Sequence, residues 1–239
     1  FETNLDQNYE ICNLLMENCK LIYLNNTAKR KMIEQELKSS DKKDLIFVGS
    51  KNDFINNSMN FSQIKNSNNI LFGEKVNLLS YGNININIDY VRKIIEINKY
   101  NLLDKVLIKN GILENWLIKF NDYSIADINN FKLSRDINGL TGCLNFYDVK
   151  LNNVKIEVTD ASCEDALNLV RVEGNIKNIL ITNSLSDGID SDFSNIKFNN
   201  IDIQNSKGDC VDLSYGNYTI DNSILSKCSD KAVSVGESS

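Results

Sequence analysis

The sequence contains neither histidine nor proline among its 239 residues. Without an imidazole, a Ser-His-Asp triad, a Cys-His pair, a histidine-ligated zinc and a histidine general base are all excluded. The lack of proline excludes proline-rich linkers and collagen-like segments. No run of 18 apolar residues occurs, so the sequence predicts no membrane span.

Acidic residues outnumber basic ones by 32 to 26, which gives a formal net charge of −6. An acidic chain is a poor nucleic-acid binder, because that function needs clustered Lys and Arg. With 42% hydrophobic and 24% charged residues, the chain is able to bury a core. Because residue 1 is Phe rather than Met, we expect a piece of a longer protein, with the repeat region truncated at its C-terminal end.

The six cysteines show no spacing typical of a metal site, and their density is low for a disulfide scaffold. We therefore expect most of them to be small buried apolar residues. They lie at positions 12, 19, 143, 163, 210 and 228.

The chain divides into two parts that differ in their pattern of apolar residues. Over residues 5–38, apolar residues recur at three- and four-residue steps, which predicts an α-helical segment with a break at Asn25–Thr27. We assign residues 1–40 to this segment, either as a cap on the following domain or as the tail of a preceding one. Short strands are predicted from residue 45 onward, at Leu45–Val48, Ile70–Phe72, Val76–Leu79 and Ile84–Ile88.

The C-terminal half repeats with a period of 22 to 23 residues. Several columns of like residues share this period: one apolar, one small, and two polar. They are Leu144, Leu167, Ile189, Val211 and Val233; Cys143, Ala166, Gly188, Cys210 and Ala232; Asn145, Asn168, Asp190, Asp212 and Ser234; and Asn178, Asn200 and Asn222.

This period, with short strands and no helix between them, predicts an all-β parallel β-helix over residues 41–239. Like residues then stack about 4.8 Å apart, and we expect Asn178, Asn200 and Asn222 to form a buried, hydrogen-bonded ladder. The lack of proline fits, because interior strands pair on both sides and need every N–H. A leucine-rich repeat has a similar period, but its Leu-rich signature and its helix are absent.

The repeat resembles the right-handed parallel β-helices of the pectin-lyase-like superfamily. Three motifs are similar to those of polygalacturonases: Leu185–Asp190, Lys207–Cys210 and Asp230–Gly236. The resemblance implies a carbohydrate-active hydrolase or lyase with Asp187 and Asp209 as catalytic carboxylates. Leu185, Gly208 and Lys231 stand where that family has asparagine, aspartate and histidine.

The aspartates of successive coils allow three interpretations. Asp187 and Asp209 are spaced closely enough to act as an acid/base pair, with Asp165, Asp190 and Asp212 binding substrate beside them. Stacked aspartates also suit calcium, which is the one cofactor we consider. The structural interpretation is that each Asp initiates a turn through backbone hydrogen bonds.

Two further groups are open to both functional and structural interpretations. Lys231 is a candidate catalytic base, together with Arg171 or Arg135 in a lyase, or else the partner of a surface ion pair. The aromatic residues, among them the candidate substrate-binding Tyr215, form either sugar platforms or internal stacks. They are Trp116, Phe120, Tyr147, Phe193 and Tyr215.

The functional hypothesis is a β-helix that binds or modifies a polysaccharide or cell-surface glycan on its acidic face. The resemblance implies an extracellular or cell-envelope location. Two alternatives stay open: a non-catalytic structural or adhesive solenoid, and a calcium-stabilised binding module.

Overall fold

A computed structural model describes residues 21–24, 45–48, 67–124, 140–236 and 239. The chain divides into two compact units, one of residues 1–63 with 134–140 and one of residues 64–133 with 141–239. A boundary between residues 40 and 41 remains a prediction from the sequence.

In the first unit, the described residues form two strands, β1 (Leu21–Leu24) and β2 (Leu45–Val48), which pair in parallel. The strand at Leu45–Val48 was expected, whereas Leu21–Leu24 falls inside the predicted helix, so the helical prediction is wrong there. Both segments are four-residue apolar runs, and periodicity alone cannot distinguish such a run from a piece of helix. The rest of the predicted helical segment lies outside the described residues.

The second unit is built from two sheets of short and long strands. The described residues contain no helix, and hence none of the length and apolar character needed to cross a membrane. The first sheet consists of β3 (Ser67–Phe72), β4 (Val76–Tyr81), β7 (Lys105–Lys109), β10 (Gly142–Tyr147), β12 (Asp165–Val170), β14 (Asp187–Asp192), β16 (Val211–Ser214) and β18 (Val233–Val235). The second consists of β5 (Ile84–Asp89), β6 (Ile94–Lys99), β8 (Ile112–Glu114), β9 (Leu117–Asp122), β11 (Lys150–Ala161), β13 (Glu173–Ser184), β15 (Asn195–Ser206) and β17 (Asn217–Cys228).

From β7 onward, successive coils stack in parallel and form a β-solenoid of about six turns. Each complete coil contributes one short strand to the first sheet and one twelve-residue strand to the second. Leu167 pairs with Ile189, and Ile189 pairs with Val211, so the register equals the repeat period of the sequence. The predicted columns of the first sheet are confirmed.

The beginning of the described solenoid departs from uniform parallel pairing. Three strand pairs are antiparallel: β3 with β4, β4 with β7, and β5 with β6. Only three residues separate β3 from β4, and four separate β5 from β6. A parallel neighbour needs a crossover of a dozen residues or more, so these tight connections permit only hairpins.

The core is a set of apolar columns that run along the solenoid axis. Leu144, Leu167, Ile189 and Val211 are each 0% exposed, as are Ile181 and Ile203 of the second sheet. Burying one such side chain contributes about 1.5–3 kcal/mol. The last rung of the first column, Val233, is 40% exposed because no described strand covers it.

The asparagine column of the second sheet lies on the surface. Asn178, Asn200 and Asn222 are all exposed, so the expectation of a buried ladder is wrong. Asn222 does reach Asn200, but its Nδ2–Oδ1 distance is 3.4 Å. Because exposed amides exchange this contact for water, each contributes less than about 1 kcal/mol to stability.

Four of the six cysteines form disulfides, Cys143–Cys163 and Cys210–Cys228. Cys143, Cys163 and Cys210 are buried as expected, but the expectation of unpaired apolar thiols is wrong for these four. Cys143 and Cys210 belong to the same column of the repeat. Their partners, Cys163 and Cys228, follow them by 20 and 18 residues, so the two disulfides occupy equivalent corners of different coils. Cys12 and Cys19 lie outside the described residues.

A buried ion pair sits beside the first disulfide. Lys99 Nζ lies 2.6 Å from Asp122 Oδ2, and neither side chain is exposed. Ser162 and Ser124 also donate to the Asp122 carboxylate. Burial raises the pKa of Asp122, but the Lys99 ammonium and the serine hydroxyls outweigh burial and hold that pKa below its usual value.

Replacing Lys99 with methionine is expected to destabilise the protein by about 3–5 kcal/mol, since it leaves a buried carboxylate without its cation. Lys119→Met is the matched control, because Lys119 pairs with Glu157 at 3.3 Å on the surface. That change should cost less than about 1 kcal/mol. Urea unfolding of both variants measures the difference, and equal losses would contradict the structural role of the buried pair.

Replacing Val211 with aspartate is expected to prevent folding, because an unpaired charge in the core column costs several kcal/mol. Val235→Asp places the same side chain at a residue that is 62% exposed and should leave the fold intact. Circular dichroism and thermal melting check both variants. A Val211→Asp protein with native melting behaviour would show that the register is misassigned.

Candidate functional site

The aspartates of consecutive coils lie beside one another where the short strands begin. Asp165 pairs in register with Asp187, and Asp209 and Lys231 continue the column through hydrogen bonds between coils. We call Asp165, Asp187, Asp190, Asp209 and Asp212 the acidic ladder. The structure thus brings together the six charged residues predicted from the sequence as catalytic or substrate-binding.

Asp187 and Asp209 each hold the backbone of the next coil. Asp187 Oδ1 accepts from the Asp209 N–H at 2.7 Å, and Asp209 Oδ1 accepts from the Lys231 N–H at 2.7 Å. One carboxylate thus organises the turn into the following short strand, which is the structural interpretation of an aspartate at a turn. The second oxygen of Asp209 lies 3.6 Å from the Lys231 ammonium, so of these two carboxylates Asp187 has the more available second oxygen.

Gly208 is required by this arrangement. A Cβ at position 208 would collide with Asp187 Oδ1, so a side chain there would displace the carboxylate from the Asp209 N–H. An aspartate at this position, as in the polygalacturonase motif, would therefore require the Asp187 side chain to move.

Lys231 lies at the exposed end of the column. Its ammonium is 2.6 Å from Asp230 and 3.6 Å from Asp209. The hydrogen bond to Asp230, together with the charge of Asp209, raises the pKa of Lys231, which disfavours the neutral amine that a catalytic base needs. Arg171 lies in the turn after β12, and Arg135 is outside the described residues.

The second polar column changes from amides to carboxylates along the axis. Asn145 and Asn168 are buried, whereas Asp190 and Asp212 are partly exposed. Asn168 Nδ2 donates to Asp190 Oδ2 at 3.0 Å. Among the described residues, Asn168 Oδ1 and Asp165 Oδ2 are buried with no hydrogen-bond partner. Asn168 was not predicted as a site residue, although its place in the Asp190 column could have indicated it.

Four of the ladder carboxyls, those of Asp165, Asp187, Asp190 and Asp212, have raised pKa values and hold their protons more tightly than ordinary aspartates. Burial is the main cause for Asp165, Asp187, Asp190 and Asp212, and repulsion between neighbouring carboxylates adds to it. The pKa values of Asp165 and Asp190 are raised the most, well above the usual value. Asp192 makes the largest repulsive contribution at Asp190.

The candidate aromatic platforms are largely internal. Tyr215 is 1% exposed and stacks on Phe193 with ring centroids 5.2 Å apart. Trp116, Phe120 and Tyr147 are also buried. A ligand has access only to the partly exposed Phe193 of this stack, so the substrate-binding role of Tyr215 stays a prediction from the sequence.

Calcium binding stays a prediction from the sequence, and the carboxylates of the acidic ladder are not gathered into one tight cluster. No three carboxylates of the acidic ladder bring one oxygen each within 4.8 Å of one another, whereas calcium takes six to eight oxygen ligands. The one such group within the described ranges is Asp122 with Cys143 and Cys163. Its two sulfurs are joined as a disulfide and provide no thiolate.

The acidic ladder predicts a pH-dependent stability. Because folding raises the pKa of Asp190, the folded state retains that proton more tightly than the unfolded chain does. This contribution is fully present below the unfolded-state pKa of about 4 and is lost as pH rises through the folded-state value. Asp190→Asn removes the ionisation and extends the amide column, so the variant should be more stable than wild type at pH 7.

The difference between Asp190→Asn and wild type should shrink towards zero as pH falls to about 4 and below. Urea unfolding across this pH range measures it. A variant that is less stable than wild type at pH 7 would contradict the predicted repulsion within the ladder.

No family model matches the chain, and neither the curated proteins nor the solved structures contain a match. The β-solenoid with turns of about 22 residues therefore rests on the register of the chain itself. The resemblance to polygalacturonases rests on the three quoted motifs.

Proposed function

We propose that this protein is a β-solenoid that binds a saccharide on the acidic ladder. The observation that carries the proposal is the change from amide to carboxylate in the column that runs from Asn145 to Asp212. Asp190 and Asp212 are partly exposed, and the register places one such group on each coil. Carboxyl and amide groups both hydrogen-bond to sugar hydroxyls.

Stability alone does not account for these carboxylates. Burial disfavours the charged form of Asp190, and repulsion from Asp192, Asp165, Asp212 and Asp187 adds to it, whereas an asparagine would avoid both penalties and retain the contact with Asn168. A ligand whose hydroxyls hydrogen-bond to the carboxylates would relieve part of this penalty. Neutral and amino sugars fit such a face better than uronates, which the ladder would repel.

Binding is a better proposal than hydrolysis. Asp187 and Asp209 have the coil-to-coil spacing of a carboxylate pair, but one oxygen of each is held by a backbone N–H. Hydrolysis by this pair is the second candidate, supported by the raised pKa of Asp187, as a general acid requires.

The two disulfides support the proposed extracellular or cell-envelope location, because such bonds persist in oxidising compartments. A polysaccharide or cell-surface glycan is the corresponding partner.

The test titrates neutral, amino-sugar and uronate oligosaccharides, with and without calcium, against the full chain by calorimetry. The Asp190→Asn/Asp212→Asn double variant should weaken binding about tenfold through the loss of charge-assisted hydrogen bonds. Glu173→Gln/Asp221→Asn is the matched control, because it removes two exposed charges elsewhere and should leave affinity unchanged.

The same oligosaccharides are assayed for reducing-end release with wild type and with Asp187→Asn/Asp209→Asn. Release that this variant abolishes would establish hydrolysis in place of simple binding. If no saccharide binds, or if the ladder and control variants behave alike, the proposal fails and the non-catalytic structural solenoid is the remaining interpretation. Binding that requires calcium would favour the calcium-dependent module.

A further inference from the structure

A second surface feature lies on the second sheet, whereas the acidic ladder lies along the strands of the first sheet. This second feature is an open groove of about 380 Å³ that crosses the four long strands β11, β13, β15 and β17. We call it the asparagine groove. Similar side chains repeat from coil to coil along the groove. Its exposed side chains are Lys155, Asn178, Leu180, Asn200, Asn222, Ser223 and Ile224, and Asp202 is partly exposed.

The repeat distance of the groove restricts its occupant. Asn200 pairs in register with Asn222, so equivalent groups recur at the coil spacing of about 4.8 Å. An extended peptide advances about 3.3 Å per residue and would lose register within two residues. A β-linked glycan in its extended form advances by nearly one coil per sugar ring, so successive rings face successive coils across the four strands.

The amides of the groove have unused hydrogen-bonding capacity. Asn178 makes no side-chain hydrogen bond with the described residues. Asn222 Nδ2 makes only long contacts, to the Asn199 carbonyl at 3.3 Å and to Asn200 Oδ1 at 3.4 Å. Asn200 Nδ2 donates to the Lys177 carbonyl at 3.1 Å, which leaves its second N–H available. A row of amides that both donate and accept matches the hydroxyl groups of a sugar chain.

The remaining side chains favour a neutral ligand. Leu180 is 39% exposed and Ile224 is 65% exposed, and such aliphatic groups pack against the apolar faces of sugar rings. Glu157 at the groove is paired with Lys119 at 3.3 Å. The charged residues of the groove lining are Lys155, Glu157 and Asp202, so no excess of positive charge is present to attract a uronate chain.

We propose that the asparagine groove binds a neutral, extended β-linked glycan that runs along the solenoid axis. This site is separate from the acidic ladder and does not depend on the function proposed for it. Neutral hexasaccharides of β-1,4-linked glucose, N-acetylglucosamine and xylose are the probes, titrated against the full chain by calorimetry.

The decisive variant is Asn200→Ala/Asn222→Ala, which should bind a neutral hexasaccharide about tenfold more weakly through the loss of two hydrogen bonds. Asn195→Ala/Asn217→Ala is the matched control. It removes a pair of exposed asparagines on the same two strands, joined at 2.8 Å and outside the groove. The control should bind as wild type does, and circular dichroism checks that both variants fold.

Chain length gives an independent readout. Affinity should rise from the disaccharide to the tetrasaccharide and then level off, because the groove crosses four long strands. The proposal is overturned if no neutral hexasaccharide binds or if affinity does not depend on the length of the oligosaccharide. It is also overturned if the Asn200→Ala/Asn222→Ala and Asn195→Ala/Asn217→Ala variants lose affinity equally.

The acidic-ladder double variant separates this proposal from the previous one. Asp190→Asn/Asp212→Asn should leave the groove affinity unchanged. If that variant abolishes neutral-glycan binding while Asn200→Ala/Asn222→Ala retains it, the ligand lies on the acidic ladder and the groove proposal fails. The opposite result supports the groove and leaves the ladder without a saccharide.

Discussion

In-register stacking of like residues between coils is the constraint on which the rest of the structure depends. No single coil encloses a core, so each apolar side chain is buried by its equivalents above and below. The spacing that stacks Leu167 on Ile189 also places Asp165 beside Asp187 and Asn200 beside Asn222. The core, the acidic ladder and the asparagine groove are thus three results of one register.

The register favours apolar columns and penalises charged ones. Identical aliphatic side chains gain contact when they stack, whereas identical carboxylates repel at the same distance. The chain reduces this repulsion at Asp187 and Asp209 by directing each carboxylate to a backbone N–H of the next coil. It leaves the repulsion in place at Asp190, which is why this part of the ladder is the better candidate for binding.

The repeat made much of the solenoid predictable from the sequence, because a parallel register turns a period directly into contacts. The apolar columns were correctly expected to face inward, but the period did not reveal which polar columns are buried. Asn178, Asn200 and Asn222 are equally periodic whether buried or exposed. The strand at Leu21–Leu24 was missed because its pairing with Leu45–Val48 is a long-range interaction that helical periodicity does not encode. The disulfides were missed because cysteine spacing has meaning only after the coil geometry is known.

The two disulfides also bear on how the solenoid would respond to force. Cys143 and Cys163 are 20 residues apart, and Cys210 and Cys228 are 18 apart, so each bond closes slightly less than one coil into a covalent loop. A pull on the chain ends could peel neighbouring coils away, but the residues inside each loop could not extend. The segment closed in each loop would span about 60–70 Å if fully extended. Reduction of the two bonds would therefore lengthen the stretched protein in two discrete steps.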